Sequence, residues 1–330
     1  MKVLLCTGDS HTQGQGQDVF CDPFPEKVVK KYDLVNGTGL GWRRLFDTNS
    51  YVNLLRQYLY DSTGSTEEEV AVEFFKELKD KNAVVFDCEG SDMFVFTFAE
   101  GTEETDVDVY TDGEFYKRLH FCTPAPRWDD WSARDLKIMC SGKKEIKFVS
   151  ESGLVRFISA RKYSGTYAVV NCGIGSCNCK SFTDLTLSQL IEDLDPYMFV
   201  AEAHTINDWL SGKTVAEYKE HLSAMLDIML EHSEHTVLVT VSPILGEQMR
   251  SGYEIYNTVD YYDNYVKASK EVAAEKNIPM ADANNEFQKC LDGLSEEQKR
   301  KEMYCDDWHV NSKGHKIYAE QIIGKIDGLL

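Results

Sequence analysis

Short apolar runs along the chain predict the strands of a buried parallel sheet. They show little alternation between apolar and polar residues, which is typical of strands covered on both faces. Four are clear, and a fifth is shorter; the five span residues 2–6, 167–171, 198–203, 236–241 and 278–281.

Between these runs, apolar residues recur at three- and four-residue spacing, which predicts helices. Strands alternating with helices are typical of an open parallel sheet covered on both faces, and in such sheets the chemistry gathers at the carboxyl ends of the strands. The clearest helical patterns span residues 51–59, 185–194, 215–230, 261–276 and 313–326.

Residues 68–164 break this alternation. Strand-like runs such as Met93 to Phe98 follow one another there, separated by turn residues such as Thr111-Asp112-Gly113. Many short strands without helices predict an all-β sandwich of jelly-roll character. We therefore expect a discontinuous α/β domain formed by residues 1–67 and 165–330, with residues 68–164 as an inserted β-domain.

Charge and length narrow the classes of partner. With 35 Lys and Arg against 55 Asp and Glu, the 330-residue chain has a net charge of -20. Such a charge repels nucleic acids and anionic membrane surfaces, so we expect neither as a partner. The opening apolar run is too short for a signal peptide, and no long apolar run follows. We expect a soluble protein that is cytoplasmic by default, with a phage- or surface-associated setting as the alternative.

Ten cysteines are spread over a chain that is long enough to bury its own core, so we expect reduced thiols. Cys172, Cys177 and Cys179 form a cluster that resembles a metal-ligand set. It lacks a Cys-x-x-Cys pair and a nearby histidine, so buried thiols beside a turn are the preferred interpretation. We expect no metal and no cofactor.

Ser10 follows the first strand directly, in Gly8-Asp9-Ser10-His11. A tight turn there exposes the hydroxyl and points backbone N–H groups at one spot. Taken alone the triplet is weak evidence, because an Asp-Ser pair before a helix often serves as an N-cap.

Asp306 and His309 lie near the other end of the chain, in a loop that enters a helix. An aspartate three residues before a histidine can hold one ring nitrogen while the other faces a nucleophile. The alternative is that Asp306 or Asp307 merely caps the helix. Asn311 or Ser312 is better placed for that cap.

Acyl transfer also requires donors for the developing oxyanion, each worth roughly 3 kcal/mol. Asn207 follows the strand at 198–203, and the loop with Gly175 and Ser176 follows the strand at 167–171. Each has an alternative role, as a helix cap or a turn residue. All the candidates, Asp306 and His309 included, are expected at separate strand ends.

These motifs together resemble the SGNH hydrolases, also called GDSL esterases, over residues 1 to about 60 and 165–330. The resemblance implies a three-layer α/β/α flavodoxin-like fold with a mainly parallel five-stranded sheet. It also implies a serine esterase. Its functional residues would be Ser10 as nucleophile and N–H donor, Asp306 and His309 completing the triad, Asn207 as side-chain donor, and Asp9 and Asp208 in support.

The sequence departs from the family pattern at three positions. His11 stands where a hydrophobic residue is usual, and Thr205 replaces the glycine of the family's third sequence block, which contains Asn207 and Asp208. In the family's second sequence block, which follows the strand at 167–171, the usual oxyanion glycine falls on Ser176, with Gly175 one residue earlier. The second-block donor is therefore either Gly175 or Ser176.

Aromatic residues around the predicted site favour a sugar over an acyl chain as the group next to the ester, although many aromatics are core residues. The inserted module also resembles jelly-roll domains that accompany some carbohydrate esterases. We therefore expect an O-acetyl esterase acting on an acetylated oligo- or polysaccharide. The alternatives are a lipase- or thioesterase-type hydrolase and a catalytically silent glycan-binding protein. The aromatics are Trp209, Tyr253, Tyr256, Tyr261, Tyr262 and Trp308.

Overall fold

The computed structural model describes residues 1–14, 50–70, 76–123, 131–246 and 260–330. The strands in these ranges are β1 Lys2–Gly8, β2 Thr66–Val70, β3 Lys76–Lys79, β4 Ala83–Asp87, β5 Met93–Gly101, β6 Thr105–Thr111, β7 Glu114–Phe121, β8 Trp131–Met139, β9 Glu145–Ser150, β10 Leu154–Ser164, β11 Tyr167–Gly173, β12 Met198–Glu202, β13 His235–Val239 and β14 Met280–Ala281.

The helices in the same ranges include a π-helical turn, Thr183–Leu187, between the third and the fourth. None of them is long and apolar enough to cross a membrane. They are α1 Ser10–Gln13, α2 Tyr51–Thr63, α3 Cys179–Phe182, α4 Ser188–Leu194, α5 Thr205–Leu210, α6 Val215–Glu231, α7 Tyr262–Glu275, α8 Ala283–Leu291, α9 Glu296–Met303 and α10 Ser312–Ile326.

The central sheet has the strand order β11-β1-β12-β13-β14, and each pair of neighbours is parallel. Successive side chains of a strand point to opposite faces, so a sheet covered on both sides needs apolar residues at every position. In β1, Val3 and Leu5 face one core, whereas Leu4 and Cys6 face the other. The predicted α/β fold is confirmed.

Helices cover both faces of this sheet. Residues of α4, α6 and α7 share one core with the sheet, and residues of α2, α8 and α10 share the other. In α6, Leu222, Leu226 and Met229 recur at four- and three-residue spacing and are fully buried, as an amphipathic helix requires. A capping box between Thr214 and Glu217 fixes where α6 begins.

Between Thr66 and Ser164 the described chain forms strands only, arranged in two antiparallel sheets. One sheet has the order β2-β10-β5-β8, with β3 also paired to β10, and the other has the order β4-β9-β6-β7. A shared core rich in phenylalanine lies between them, and several of its rings meet edge to face. It includes Phe86, Phe94, Phe96, Phe98, Phe148 and Phe157.

These antiparallel sheets pack directly against the α/β part of the chain. Met93 and Val95 of β5 point away from the phenylalanine core and join the core that α4, α6 and α7 share. Arg134 of β8 donates two hydrogen bonds, of 2.7 and 3.0 Å, to the carboxylate of Asp193 in α4. Both side chains are at least 90% buried. A bidentate pair of this kind fixes the orientation of its two elements.

The predicted elements lie within a few residues of the observed ones, with one misassigned helix. The pattern at 185–194 begins in the π-helical turn and becomes α-helical only at Ser188. The helices α1, α3, α5, α8 and α9 were not predicted, and none of them is longer than nine residues. The boundaries between the two expected domains stay a prediction, and β2 begins two residues before the proposed one.

Two glycines at neighbouring strand ends let α1 approach the sheet. Gly8 and Gly173 are paired in the parallel register. A Cβ on Gly173 would lie 2.2 Å from the backbone nitrogen of Gln13, and one on Gly8 would lie 2.1 Å from Thr12 Oγ1.

We expect Gly173→Ala to displace α1 and to lower both stability and activity, because backbone atoms cannot yield as a flexible side chain can. Overpacking of this kind costs about 1–3 kcal/mol. Gly324→Ala is the matched control: Gly324 is an exposed position of α10 with open space around it. There alanine should stabilise by about 1 kcal/mol. Urea denaturation checks both values, and equal stability of the two variants would contradict this account of Gly173.

Candidate active site

Ser10 is the first residue of α1, immediately beyond the end of β1. Asp9 is the N-cap of this short helix, and its side chain accepts the backbone N–H of His11 at 3.0 Å. The capping role of Asp9 and the predicted functional position of Ser10 therefore coincide in this motif. The residue Ser10 is 8% exposed, so only a small part of it is open to solvent.

Asp306 and His309 lie in a tight loop between α9 and α10. The loop is closed by the bridge between Tyr304 and Val310 and by a 2.9 Å hydrogen bond from Cys305 N–H to the carbonyl of His309. The expectation that these residues follow a strand is wrong, because the loop follows the helix α9.

The helix cap beyond this loop is Asn311, as its position suggests. Its side chain accepts the N–H groups of Lys313 and Gly314. Asp306 Oδ1 instead accepts the N–H groups of Trp308 and His309, at 2.9 and 2.6 Å. The carboxylate of Asp306 is thus held by its own loop and does not cap α10.

Three side chains from the two ends of the chain form one row. His309 Nε2 lies 3.0 Å from Ser10 Oγ, and His309 Nδ1 lies 2.6 Å from Asp306 Oδ2. Burial opposes the charge of Asp306, but hydrogen bonds from the His309 ring and from two backbone N–H groups outweigh it and lower the carboxyl pKa. An ionised Asp306 favours the His309 tautomer that carries its proton on Nδ1.

Asn207 and Asp208 lie in α5, which begins beyond the end of β12. Asn207 Nδ2 donates one hydrogen bond, of 2.7 Å, to Asp9 Oδ2. Asp208 is fully buried and accepts the backbone N–H of Cys179 at 2.8 Å. Burial raises the pKa of Asp208 to about 6. Through the bond from Asn207 to Asp9, the motif of Ser10 and the motif of Asn207 are in direct contact.

Gly175 and Ser176 lie in the loop beyond β11, and they differ in what they offer. The Gly175 N–H donates to Gln13 Oε1 at 3.0 Å. Ser176 has φ of 60°, the left-handed conformation that favours glycine. A glycine, which the family pattern has at the position of Ser176, adopts this conformation without strain.

Buried His204 joins this loop to the one that carries Asn207. It precedes α5 with φ of 52°, and its Nδ1 lies 2.8 Å from the carbonyl of Cys177.

The thiols of Cys172, Cys177 and Cys179 are buried. Cys172 donates a weak hydrogen bond to Asp135, and Cys179 donates one to the carbonyl of Ala203.

Glu202 was missed by the sequence reasoning, although it lies directly beneath α1. Its Oε2 accepts hydrogen bonds from the N–H groups of Asp9 and Thr12, at 3.2 and 3.3 Å, and from Thr12 Oγ1 at 2.6 Å. The side chain is fully buried, and burial raises its pKa to about 8. The available signal was a lone acidic residue in an otherwise apolar strand.

His11 was noted in the sequence only as a departure from the family pattern, and it lies between Asp9 and the loop of Asp306 and His309. Its Nδ1 is 3.2 Å from Asp9 Oδ1 and 3.7 Å from Glu202 Oε1, and its Nε2 is 2.8 Å from the carbonyl of Trp308. Asp9, His11 and Glu202 thus bring three buried groups of the metal-ligating type within 4.8 Å of one another.

The prediction that aromatics line the site is wrong for two residues. Trp209 and Tyr262 are fully buried, and their polar atoms donate to the carbonyls of Asp260 and Ser242. Aromatic composition alone does not reveal which way a ring points. Tyr261 is 39% exposed, and Trp308 is partly buried. Tyr253 and Tyr256 lie outside the described residues.

Residues 150–317 match the GDSL-like lipase/acylhydrolase family. This segment includes the loops of Ser176, Asn207 and His309. Among curated protein sequences, none matches the chain.

Several solved structures are similar to this one at low identity. A Bacillus subtilis protein is 13% identical, with a TM-score of 0.44, over 80% of this chain and 90% of its own. An acetylxylan esterase from Geobacillus stearothermophilus is 20% identical, with a TM-score of 0.40, over 48% of this chain and 72% of its own. A peptidoglycan O-acetylesterase is 11% identical, with a TM-score of 0.48, over 100% of this chain and 91% of its own. Likenesses this distant assign no substrate.

Proposed function

This chain belongs to the GDSL-like lipase/acylhydrolase family and is an ester hydrolase, and we propose that Ser10, His309 and Asp306 are its catalytic triad. The observation that carries the proposal is the unbroken row of hydrogen bonds from Ser10 Oγ through both nitrogens of His309 to Asp306 Oδ2. Such a row lets a neutral imidazole take the serine proton while the carboxylate stabilises the imidazolium that forms.

In the first half of the reaction, Ser10 Oγ attacks the ester carbonyl carbon and its proton passes to His309 Nε2. The tetrahedral intermediate then collapses, the bond to the alcohol oxygen breaks, and His309 returns the proton to the leaving alkoxide. The acyl group remains on Ser10. Throughout, Asp306 accepts the Nδ1–H of His309 and stays ionised.

In the second half, a water molecule takes the place of the alcohol. His309 accepts its proton as the water oxygen attacks the acyl-serine carbonyl. The second tetrahedral intermediate then collapses and releases the carboxylic acid, and His309 returns the proton to the leaving Ser10 Oγ. The same histidine serves both halves because the distance between Nε2 and Oγ is that of a hydrogen bond in the resting enzyme.

The proposed oxyanion donors are the N–H of Ser10, the amide of Asn207 and the N–H of Ser176. The Asn207 amide has two protons, and Asp9 uses one of them. We favour Ser176 over Gly175 because the Gly175 N–H already has Gln13 Oε1 as its acceptor. Asp9 supports this arrangement by fixing the Asn207 side chain, and Asp208 supports it by fixing Cys179 at the start of α3.

The acyl group that we propose is acetyl. The residue Ser10 is 8% exposed and the His309 side chain is 17% exposed, so a small acyl group reaches the hydroxyl more readily than a long chain. On the alcohol side we propose a carbohydrate. Trp308, between Asp306 and His309, and the exposed Tyr261 are the described aromatics that could contact a sugar ring.

We also propose that residues 68–164 are a jelly-roll-like, carbohydrate-binding-like domain inserted in a catalytic domain of residues 1–67 and 165–330. Support comes from the two antiparallel sheets with one phenylalanine core. Phe115 and Tyr116 of β7 are 59% and 43% exposed, and they offer aromatic surface for such a role.

Ser10→Ala should lower kcat/KM for an activated acetate ester by at least about 10³-fold, because the nucleophile is lost while the oxyanion donors remain. The fold should persist, since the Ser10 hydroxyl lies at the site and fills no core position. Ser62→Ala, an exposed serine of α2, is the control and should retain wild-type activity. Steady-state kinetics and circular dichroism decide the matter, and undiminished turnover by Ser10→Ala would remove the proposed nucleophile.

The substrate proposal predicts release of acetate from acetylated xylan, and a kcat/KM for short acyl esters about tenfold or more above that for long-chain esters. Ser10→Ala serves as the blank in both assays. Faster cleavage of long chains would point to a lipase- or thioesterase-type hydrolase instead. Retention of glycans without any hydrolysis would point to a silent glycan-binding protein.

A further inference from the structure

His11 connects the turn that carries Ser10 to the loop that carries His309. It is 1% exposed, so it cannot contact a substrate. Its Nε2 lies 2.8 Å from the carbonyl oxygen of Trp308, and its ring centroid lies 5.6 Å from that of His309. Trp308 directly precedes His309, so this contact acts on the backbone of the proposed base.

The neighbours of His11 define which of its nitrogens carry protons. A carbonyl oxygen only accepts hydrogen bonds, so Nε2 must carry a proton towards Trp308. Nδ1 faces Asp9 Oδ1 at 3.2 Å and Glu202 Oε1 at 3.7 Å. A lone pair on Nδ1 would be repelled by the Asp9 carboxylate oxygen, whereas an N–H there donates to it.

Asp9 provides the compensating negative charge. Its two oxygens accept the N–H of His11 at 3.0 Å and the amide of Asn207 at 2.7 Å. Burial opposes ionisation of Asp9, but its hydrogen bond and ion pair with His11 keep the carboxyl pKa below its usual value. One buried cation is thus matched by one ionised carboxylate in direct contact.

We propose that His11 is an imidazolium at neutral pH, and that its Nε2–H positions the Trp308 carbonyl. Through that carbonyl it positions the loop of Asp306 and His309, the base loop, against Ser10. His11 is a positioning residue, because it acts on the reacting atoms only through Trp308 and His309. The proposal rests on the proposed triad. It also explains why His11 is polar at a position that is usually hydrophobic in the family pattern.

The other groups that face His11 are consistent with this charge. Glu202 approaches from β12, His309 from the base loop, and Tyr318 from α10 with its ring centroid 5.9 Å away. Burial penalises the His11 charge, but Asp9, Glu202 and the Trp308 carbonyl outweigh it and raise the pKa of His11 to about 9. His204 adds a weaker positive influence on Asp9.

The pH dependence follows from the sign of this shift. The folded-state pKa of about 9 lies above the ordinary value of about 6.5. The stability from His11 is therefore fully present below pH 6.5 and is lost as pH rises through 9. Activity should fall over the same alkaline range, because neutral His11 no longer holds Asp9 and the Trp308 carbonyl together.

Histidine-selective ¹⁵N NMR tests the protonation state without reference to activity. His11 should be protonated on both ring nitrogens at pH 7.5, and the corresponding pair of signals should vanish in His11→Gln. His235→Gln is the control, because His235 lies at the opposite end of the sheet and its Nε2 contacts Tyr197. If His11→Gln does not fold, His11→Asn and the wild-type titration supply the same assignment.

Two NMR outcomes would overturn the proposal. A neutral His11 at pH 7.5, with an unprotonated Nδ1, contradicts the imidazolium. So does a stoichiometric metal ion whose removal by a chelator changes the Nδ1 signal, because Asp9, His11 and Glu202 would then be a metal site. Either result leaves the proposed triad standing, since that is tested separately by Ser10→Ala.

Kinetics test the positioning role. His11→Gln should lower kcat by about 10- to 100-fold, as misplacement of a catalytic group does, with little change in KM. The alkaline decline of the wild type near pH 9 should disappear in His11→Gln and persist in His235→Gln. An unchanged kcat, or an alkaline decline that survives in His11→Gln, would contradict the role assigned to His11.

Discussion

The carboxylate of Asp9 is the point at which three parts of the site meet. One oxygen accepts the backbone N–H of His11 and lies 3.2 Å from the ring nitrogen Nδ1 of the same residue, and the other oxygen accepts the amide of Asn207. Through His11 the same group reaches the loop of His309. A buried carboxylate is stable only when donors surround it, so each donor is constrained by the others. The proposed nucleophile, oxyanion donor and base therefore depend on one another for their positions.

The parallel sheet makes this meeting possible. β1, β11 and β12 end side by side, and the paired glycines at the ends of β1 and β11 let α1 lie against them. Glu202, the last residue of β12, receives the free N–H groups at the start of α1. The base loop directly precedes α10, and the buried face of α10 packs on the same sheet. The two antiparallel sheets, whose strands lie between Thr66 and Ser164, pack on the side of the parallel sheet that α4 covers. The hydrogen-bonded pair of Arg134 and Asp193 fixes their orientation relative to α4.

Much of this arrangement was predictable from sequence, and the missing parts have physical reasons. Apolar runs and helical periods predict the α/β fold, and the motifs around Ser10 and His309 predict residues that meet although 299 positions separate them. Glu202 was not predicted, because one acid in an apolar strand gives no indication of its partners. The aromatic pattern misplaced Trp209 and Tyr262, because composition does not encode the direction of a ring. The strand-end rule also failed for Asp306, whose loop follows a short polar helix without an apolar period.

The most direct test of the central claim is covalent trapping of the nucleophile. A fluorophosphonate that phosphonylates activated serines with loss of fluoride should modify this protein once, and mass spectrometry of the digest should place the adduct on Ser10. The adduct should be lost in His309→Gln, because the hydroxyl is then no longer activated. Inhibition with the label on a different residue, or continued ester hydrolysis by fully labelled protein, would contradict the proposed role of Ser10.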